Sequence, residues 1–478
     1  MKVPRLISLF RSLSKEEVKR FGQFLKSPYY NATPKMKALY KYLKITHPKC
    51  QFEQEDKEYL FSKIFSKEPY SNKKMNNLTA ALSSILQDFL LLQRNKSGSF
   101  VRDFNLFRVY HDRKLDSLSE KQLLKLQKTI NARNGDTMVD HYHQLRIHHE
   151  LYFHSNTSRL KGKQGEGYLN TTFEYLNLFY VQARLRYLCE MNFRGDILAS
   201  VDKSERDELS KLEEFVSLKK TPLLEIYALL YKIQIVPDVD IYADLREKVF
   251  EYCRKENSNS GDHLLTFLNN YQSRRSKEGD TDALLELFKI YNFGFEEKIY
   301  LLENKYIRAA HFINASVIAS ELKKTDWLEQ FIEQHQQKLK TDLQENVVNL
   351  CKAYLSFAKE AYLDVISYAG RVQHHIPNMG LPCWTLEIRA YYKTQQDSDY
   401  LDNILRNFSN YLHRNQNAIF TDTYIANRNF IKIIRQLYKA KYNNKYTKEK
   451  LNDTMESMTN IVCKNWLKTE IDSLSERK

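Results

Sequence analysis

The chain reads as all-α: an α-solenoid of stacked helical hairpins, tetratricopeptide-like, with a basic helical module at its N-terminal end. Three observations predict this. Only 12 Gly and 9 Pro occur in 478 residues, too few of the residues that sheet-rich folds need at every turn. Apolar residues recur at steps of three and four almost throughout, the spacing of one helical face. The breaks in that pattern are short, at 161–167, 257–262, 276–280 and 377–382, and helices joined by short loops in series fold back on one another.

The length exceeds what one compact core ordinarily serves, so two or three domains or one elongated stack is expected, and the periodicity favours the stack. Hydrophobic residues are 42% and aromatics 13% of the chain. That is enough apolar surface to outweigh chain entropy despite 28% charged residues, which excludes intrinsic disorder. Between Arg5 and Arg11 stand five mostly apolar residues, too few for the core of a signal peptide. The least polar later stretch, Phe312 to Ser320, is nine residues long, where a spanning helix needs about twenty; no membrane span is expected. Cys50, Cys189, Cys253, Cys351, Cys383 and Cys463 are never closer than 32 positions. The spacing argues against a zinc knuckle or a compact disulfide framework and for free thiols in a reducing, cytoplasmic setting.

The first helix is announced by a capping box, Ser14-x-x-Glu17, followed by Val18, Phe21, Phe24 and Leu25 on one face. A second helix starts at Pro34 and carries Met36, Leu39, Tyr40 and Leu43; a third runs from about Glu55 to Phe65 and a long fourth from about Lys73 to Gln93. Four helices make two hairpins, and these read as copies. Pro28-Tyr29-Tyr30-Asn31 is echoed by Pro69-Tyr70-Ser71-Asn72, and Lys35-Met36-x-x-Leu39 with Leu43 by Lys74-Met75-x-x-Leu78 with Leu82. Each Pro-Tyr-x-Asn is expected to be a rigid turn whose tyrosine fills the hairpin end. In the fourth helix Met75, Leu78, Leu82, Ile85, Phe89 and Leu92 form a heptad seam, widened by Leu86, Leu90 and Leu91. A core helix suits that width better than a dimerisation zipper.

Through the residues Phe24-Leu25-Lys26-Ser27-Pro28-Tyr29-Tyr30-Asn31 the chain resembles a family of uncharacterised bacterial all-helical proteins that carry such a turn. The resemblance covers about the first hundred residues and implies a helical fold without implying an activity.

Charge is concentrated in this module. Residues 1–99 hold 19 Lys plus Arg against 8 Asp plus Glu, a net +11 of the chain's +15. Lys15, Lys19 and Lys26 fall on one polar strip of the first helix and Lys37, Lys41 and Lys44 on one strip of the second. These six are the candidate anion contacts, since ammonium groups near one surface sum their fields; a merely solvated face would look the same.

The domain reading is therefore residues 1–99 as the basic module, 100–294 as the first part of the helical array, and 295–478 as tetratricopeptide-like repeats. The repeat rests on Trp327-Leu328-Glu329, Tyr362-Leu363-Asp364 and Tyr400-Leu401-Asp402, each expected to open the second helix of a hairpin with an acid in its first turn. Ala353 and Ala390 fall on the preceding first helices, where small residues admit close approach. The usual prolines between tetratricopeptide units are missing.

Candidate chemistry is sparse. His141, His143, His148, His149 and His154 are the one concentration of metal-ligand types. Even so, His149 and His154 lie about 140° apart and His141 and His148 two turns apart, so a partly exposed polar helix is expected and no metal. Gly162-x-x-Gly165-x-Gly167 has no preceding strand and no Gly-Lys-Ser/Thr ending, and reads as a connector. Aromatic sets such as Phe173, Tyr175, Phe179 and Tyr180 are expected to be mostly core rather than base-stacking platforms. No catalytic constellation and no cofactor motif is legible. The leading expectation is a non-enzymatic scaffold for a protein or peptide partner; the alternative is a nucleic-acid-associated regulator using residues 1–99, resting on charge alone.

Overall fold

The computed structural model describes residues 5–50, 54–66, 68–95, 99–133, 135–153, 163–193, 212, 214–216, 221–236, 238–255, 260–277, 280–302, 306–373, 377–394, 398–440, 446–458 and 460–474. Among these the chain is all-α apart from one antiparallel pair, Leu301–Leu302 with Tyr306–Ile307. Strands of two residues are too short to show an alternation, which is why the sequence gives no sign of them. No helix among the described residues is long and apolar enough to cross a membrane. The chain forms two compact units, Met1–Phe179 and Tyr180–Lys478.

The first unit opens with a helix that the periodicity misses, α1 (Arg5–Arg11), which buries Leu6, Ile7 and Phe10. At seven residues it is too short to register as a repeat of spacing. Next come α2 (Lys15–Phe24), α3 (Pro34–Thr46), α4 (Gln54–Ile64) and α5 (Asn72–Arg94). The capping box of α2 is complete: the Glu17 amide donates to Ser14 Oγ at 3.2 Å and the Ser14 amide to the Glu17 carboxylate at 2.7 Å. The four-helix, two-hairpin arrangement is corrected to a bundle in which α1, α2 and α3 all pack on α5. Met75, Leu78, Leu82, Ile85, Leu86 and Phe89 are the buried seam of α5, and Leu91 and Leu92 are exposed.

The two Pro-Tyr turns differ. Tyr29 is 84% exposed and fills nothing; it is Tyr30 that packs on Phe24, with ring centroids 4.2 Å apart. Tyr70 instead meets Phe61 edge-on at 5.3 Å. Asn31 acts through its left-handed backbone at φ 46°, whereas Asn72 is the first residue of α5, capped by Ser71. The helical half of the match does place alike, with Leu39, Leu43, Leu78 and Leu82 all buried.

The remaining helices of this unit are α6 (Phe100–Asp112), α7 (Asp116–Asn131), α8 (Met138–Phe153) and the first part of α9 (Lys163–Phe193). Phe100, Phe104, Phe107, Leu123, Leu126, Ile130, Ile147 and Leu151 form a second core among them. The glycine connector is corrected: Lys163–Gly167 already belong to α9, while Lys161 and Gly162 lie outside the described residues.

In the second unit each helix packs on its neighbour in sequence from Pro222–Ile235 to Lys464–Asp472. Superposed on this, Ala309–Glu321 packs on Thr341–Ala358, that helix on Pro377–Thr394, and Thr421–Ala440 on Lys464–Asp472. The expected break at Pro377–Pro382 is helix instead: Pro377 opens it and Pro382 lies within it. A proline in the first turn removes an amide that has no helical partner, so proline density there marks a start as readily as a stop.

The three second-helix phrases all fall at helix starts, in Thr325–His335, Tyr362–Ala369 and Ser398–Arg414. The middle one is two residues out of register. Leu363 is 65% exposed, and it is Val365 and Ala369 that are buried where Leu328 and Ile332, and Leu401 and Leu405, are buried in the others.

Candidate functional site

Tyr40 links α2 to α3. Its hydroxyl donates to the Val18 carbonyl at 2.9 Å, and its ring meets Phe21 edge-on at 5.7 Å. Gly22 makes room for it, since a β-carbon there would stand 2.2 Å from the tyrosine oxygen. His47 Nε2 lies 2.9 Å from the Leu13 carbonyl, so the end of α3 meets the start of α2 and the two helices run antiparallel.

All six candidate lysines are exposed. At 100° per residue, Lys15 and Lys19 stand about 60–100° from Val18 on the side of Gly22, while Lys26 lies in the turn beyond the end of α2, and Lys37, Lys41 and Lys44 stand about 40–100° from Tyr40 in the same sense. In antiparallel helices equal senses of rotation lead to the same side of the crossing. Both strips therefore flank the Gly22–Tyr40 crossing on its outward face. The fold brings together two strips that the sequence could only place one helix at a time.

The neighbouring carboxylates are occupied elsewhere. Glu16 pairs with Arg20 at 3.3 Å, Glu17 caps its own helix, and Glu68 serves Lys74 and Lys35. Among the described residues none of the six lysines forms an ion pair. Arg11, which the sequence reading passed over, ties α1 to the end of α3 by donating to the Lys49 and Cys50 carbonyls at 2.9 and 3.1 Å.

The histidine helix is partly exposed, as its polarity predicts, and His149 is exposed, yet two of its histidines face inward. His141 and His148 are nearly inaccessible, packed on Tyr175 of α9 with centroids 6.2 and 5.7 Å away. His143 stacks on Phe100 at 3.7 Å. The neutral imidazole serves here as a flat ring. Burial holds all three pKa values below the ordinary one, partly offset by Asp136 and Asp140 at His141, Asp140 at His143 and Glu174 at His148. His154 lies outside the described residues. Among the described residues no group of three His, Cys, Asp or Glu is arranged to hold a metal.

In the second unit, burial and then Lys338 push His335 down to about 4. The unfolded chain protonates such rings near the ordinary 6.5 while the folded chain does not, so stability is complete above about 6.5 and is lost as the pH falls toward the folded value. For His335 the window is about 6.5 to 4. Allowing for its partial exposure, the loss is roughly 2 kcal/mol across that window. Urea midpoints should therefore fall between pH 6.5 and 5, with His335→Phe and His148→Phe each flattening the profile. A midpoint that stays constant over that range would refute the assignment.

A second buried polar group lies at Arg389. Its Nη1 donates to Glu321 Oε1 at 3.0 Å and reaches Cys463 Sγ at 3.8 Å. The guanidinium lies 4.2 Å from the Phe357 ring centre and 5.2 Å from that of Trp466. Lys393 and Glu470 form a further pair beside it. All six cysteines are free thiols, five of them buried. Burial raises Cys253 and Cys351 to about 12, which keeps them protonated and unreactive.

Comparison with family models, with curated proteins and with solved structures finds no match for this chain.

Proposed function

We propose that this chain is a non-enzymatic, cytoplasmic interaction scaffold that holds a protein or peptide partner on a tetratricopeptide-like array in its C-terminal part. One observation carries the reading: small buried residues recur at matching places on the first helices of successive hairpins. Ser316, Ala353, Ala390 and Ala426 are all buried, and they follow one another at intervals of 37, 37 and 36 residues. The second-helix residues Leu328, Val365 and Leu401 keep the same interval and are buried too. A period near that of a tetratricopeptide unit, together with packing between alternate helices, is the logic of a helical repeat, whose exposed surface recognises extended partners.

Affinity capture of the tagged chain from its native host, with mass spectrometry before and after nuclease treatment, tests this. A defined protein partner that survives nuclease is the expected result. Loss of every partner on nuclease treatment would replace it with the second reading, a nucleic-acid-associated regulator. What favours that second reading is that Lys15, Lys19, Lys26, Lys37, Lys41 and Lys44 are all exposed and, among the described residues, form no ion pair.

A further inference from the structure

Helix α9 inverts the usual surface pattern. From Thr171 to Asn192 its most exposed side chains are Phe173, Leu176, Tyr180, Tyr187 and Met191, every one of them hydrophobic or aromatic, while its polar residues are half-buried or buried. With Leu169, one turn earlier, these side chains are between 40% and 62% exposed. The steps from Leu169 to Phe173, Leu176, Tyr180, Ala183 and Tyr187 are 4, 3, 4, 3 and 4 residues, a heptad seam along one edge of the helix. An amphipathic helix on a folded protein turns such a stripe inward, and an apolar patch of this length on the outside marks an interface. The expectation that Phe173 and Tyr180 are core is thereby corrected.

We infer that this face pairs with the same face of a second copy of the chain, α9 against α9, antiparallel. Charge supports the choice of partner. The chain as a whole carries +15, but α9 has Lys163, Arg184 and Arg186 against Glu166, Glu174 and Glu190. Two copies therefore meet here without the repulsion that the net charge imposes elsewhere, and the neutrality makes α9 a poor surface for a polyanion. The charges are also polarised: the first half of the helix has one excess carboxylate and the second half one excess cation. Antiparallel pairing sets unlike halves together and parallel pairing sets like halves together. An antiparallel register centred between Leu176 and Tyr180 places Leu169 against the partner's Tyr187 and Phe173 against the partner's Ala183, a large ring over a small residue.

Area supports it as well. With about half of each side chain still facing out, the six offer on the order of 600 Å² per copy. A two-fold pair then buries about 1,200 Å², the lower limit for a specific interface.

Sedimentation of the full chain over a concentration series should show a reversible monomer–dimer equilibrium. Phe173→Glu and, separately, Tyr187→Glu should each weaken it by about tenfold or more with helical circular dichroism unchanged. A Leu169→Cys/Tyr187→Cys double variant should cross-link between copies on mild oxidation, and Leu169→Cys alone should cross-link no more than the wild type. A chain that stays monomeric at every concentration overturns the proposal, as does a dimer indifferent to both Glu variants. Cross-linking by the single Leu169→Cys variant equal to that of the double variant overturns the antiparallel arrangement. Should either Glu variant unfold, the wild-type concentration series and the cysteine pair decide without it.

Discussion

A variant of the full chain with Lys15, Lys19, Lys26, Lys37, Lys41 and Lys44 all changed to Gln should lose nearly all affinity for generic duplex DNA, while the wild type binds at low salt. Each phosphate neutralised by one of these lysines releases about 0.9 of a counterion from the duplex, so six contacts give a log–log salt slope near −5. Between 50 and 200 mM salt that amounts to a loss of about a thousandfold in affinity. The expectation rests on the two strips sharing the outward side of the Gly22–Tyr40 crossing, because a shared face lets six ammonium groups reach one backbone together. Anisotropy titrations of wild type and variant across a salt series check it. Undetectable binding of the wild type at 50 mM salt, or equal binding by the variant, would leave the face with no role beyond solubility.

Glu321→Ala should cost the second unit roughly 2–3 kcal/mol, because it removes the carboxylate that compensates a guanidinium with almost no solvent access, the figure standing below that of a fully buried pair because the Glu321 side chain is 35% exposed. Among the described residues Arg389 would then keep the two aromatic faces and the Cys463 sulfur, which satisfy a charge poorly. Replacing both partners, as in Glu321→Leu/Arg389→Met, should cost far less, since a packed apolar pair carries no desolvation penalty. Urea unfolding followed by tryptophan fluorescence distinguishes the two variants. A loss below about 1 kcal/mol for Glu321→Ala would mean that water reaches the guanidinium and the pair is an ordinary surface one.

The local parts of this fold were legible in the sequence because their causes are local. The Ser14–Glu17 capping box, the buried run from Met75 to Phe89 and the helix starts near Trp327 and Tyr400 each need only a few consecutive residues to declare themselves. The misreadings share one origin, the use of residue type where context decides. Pro377 and Pro382 suggest a break, yet a helix tolerates a proline at its first position, as at Pro377, and this one also carries Pro382 inside it. His141 and His148 have a polar residue type, yet a neutral imidazole packs like a small aromatic ring, here against Tyr175. Phe173 has the residue type of a core side chain, yet it is 62% exposed on α9. Nothing local could reveal the convergence of the lysine strips, which follows from Tyr40 reaching Val18, 22 residues earlier. The Arg389–Glu321 pair, 68 residues apart, was equally out of reach.

That pair also bears on how the protein is made. In an ideal helical repeat each unit answers only to its neighbours, so folding can proceed hairpin by hairpin as the ribosome delivers them. Here the guanidinium between Ala309–Glu321 and Pro377–Thr394 is enclosed by Trp466 and Cys463, residues translated long after Glu321. Lys393 likewise waits for Glu470. Until residues 463–470 emerge, the nascent chain holds a half-built charged centre open to water, so its earlier hairpins gain their full resistance to unfolding only once translation has passed that point.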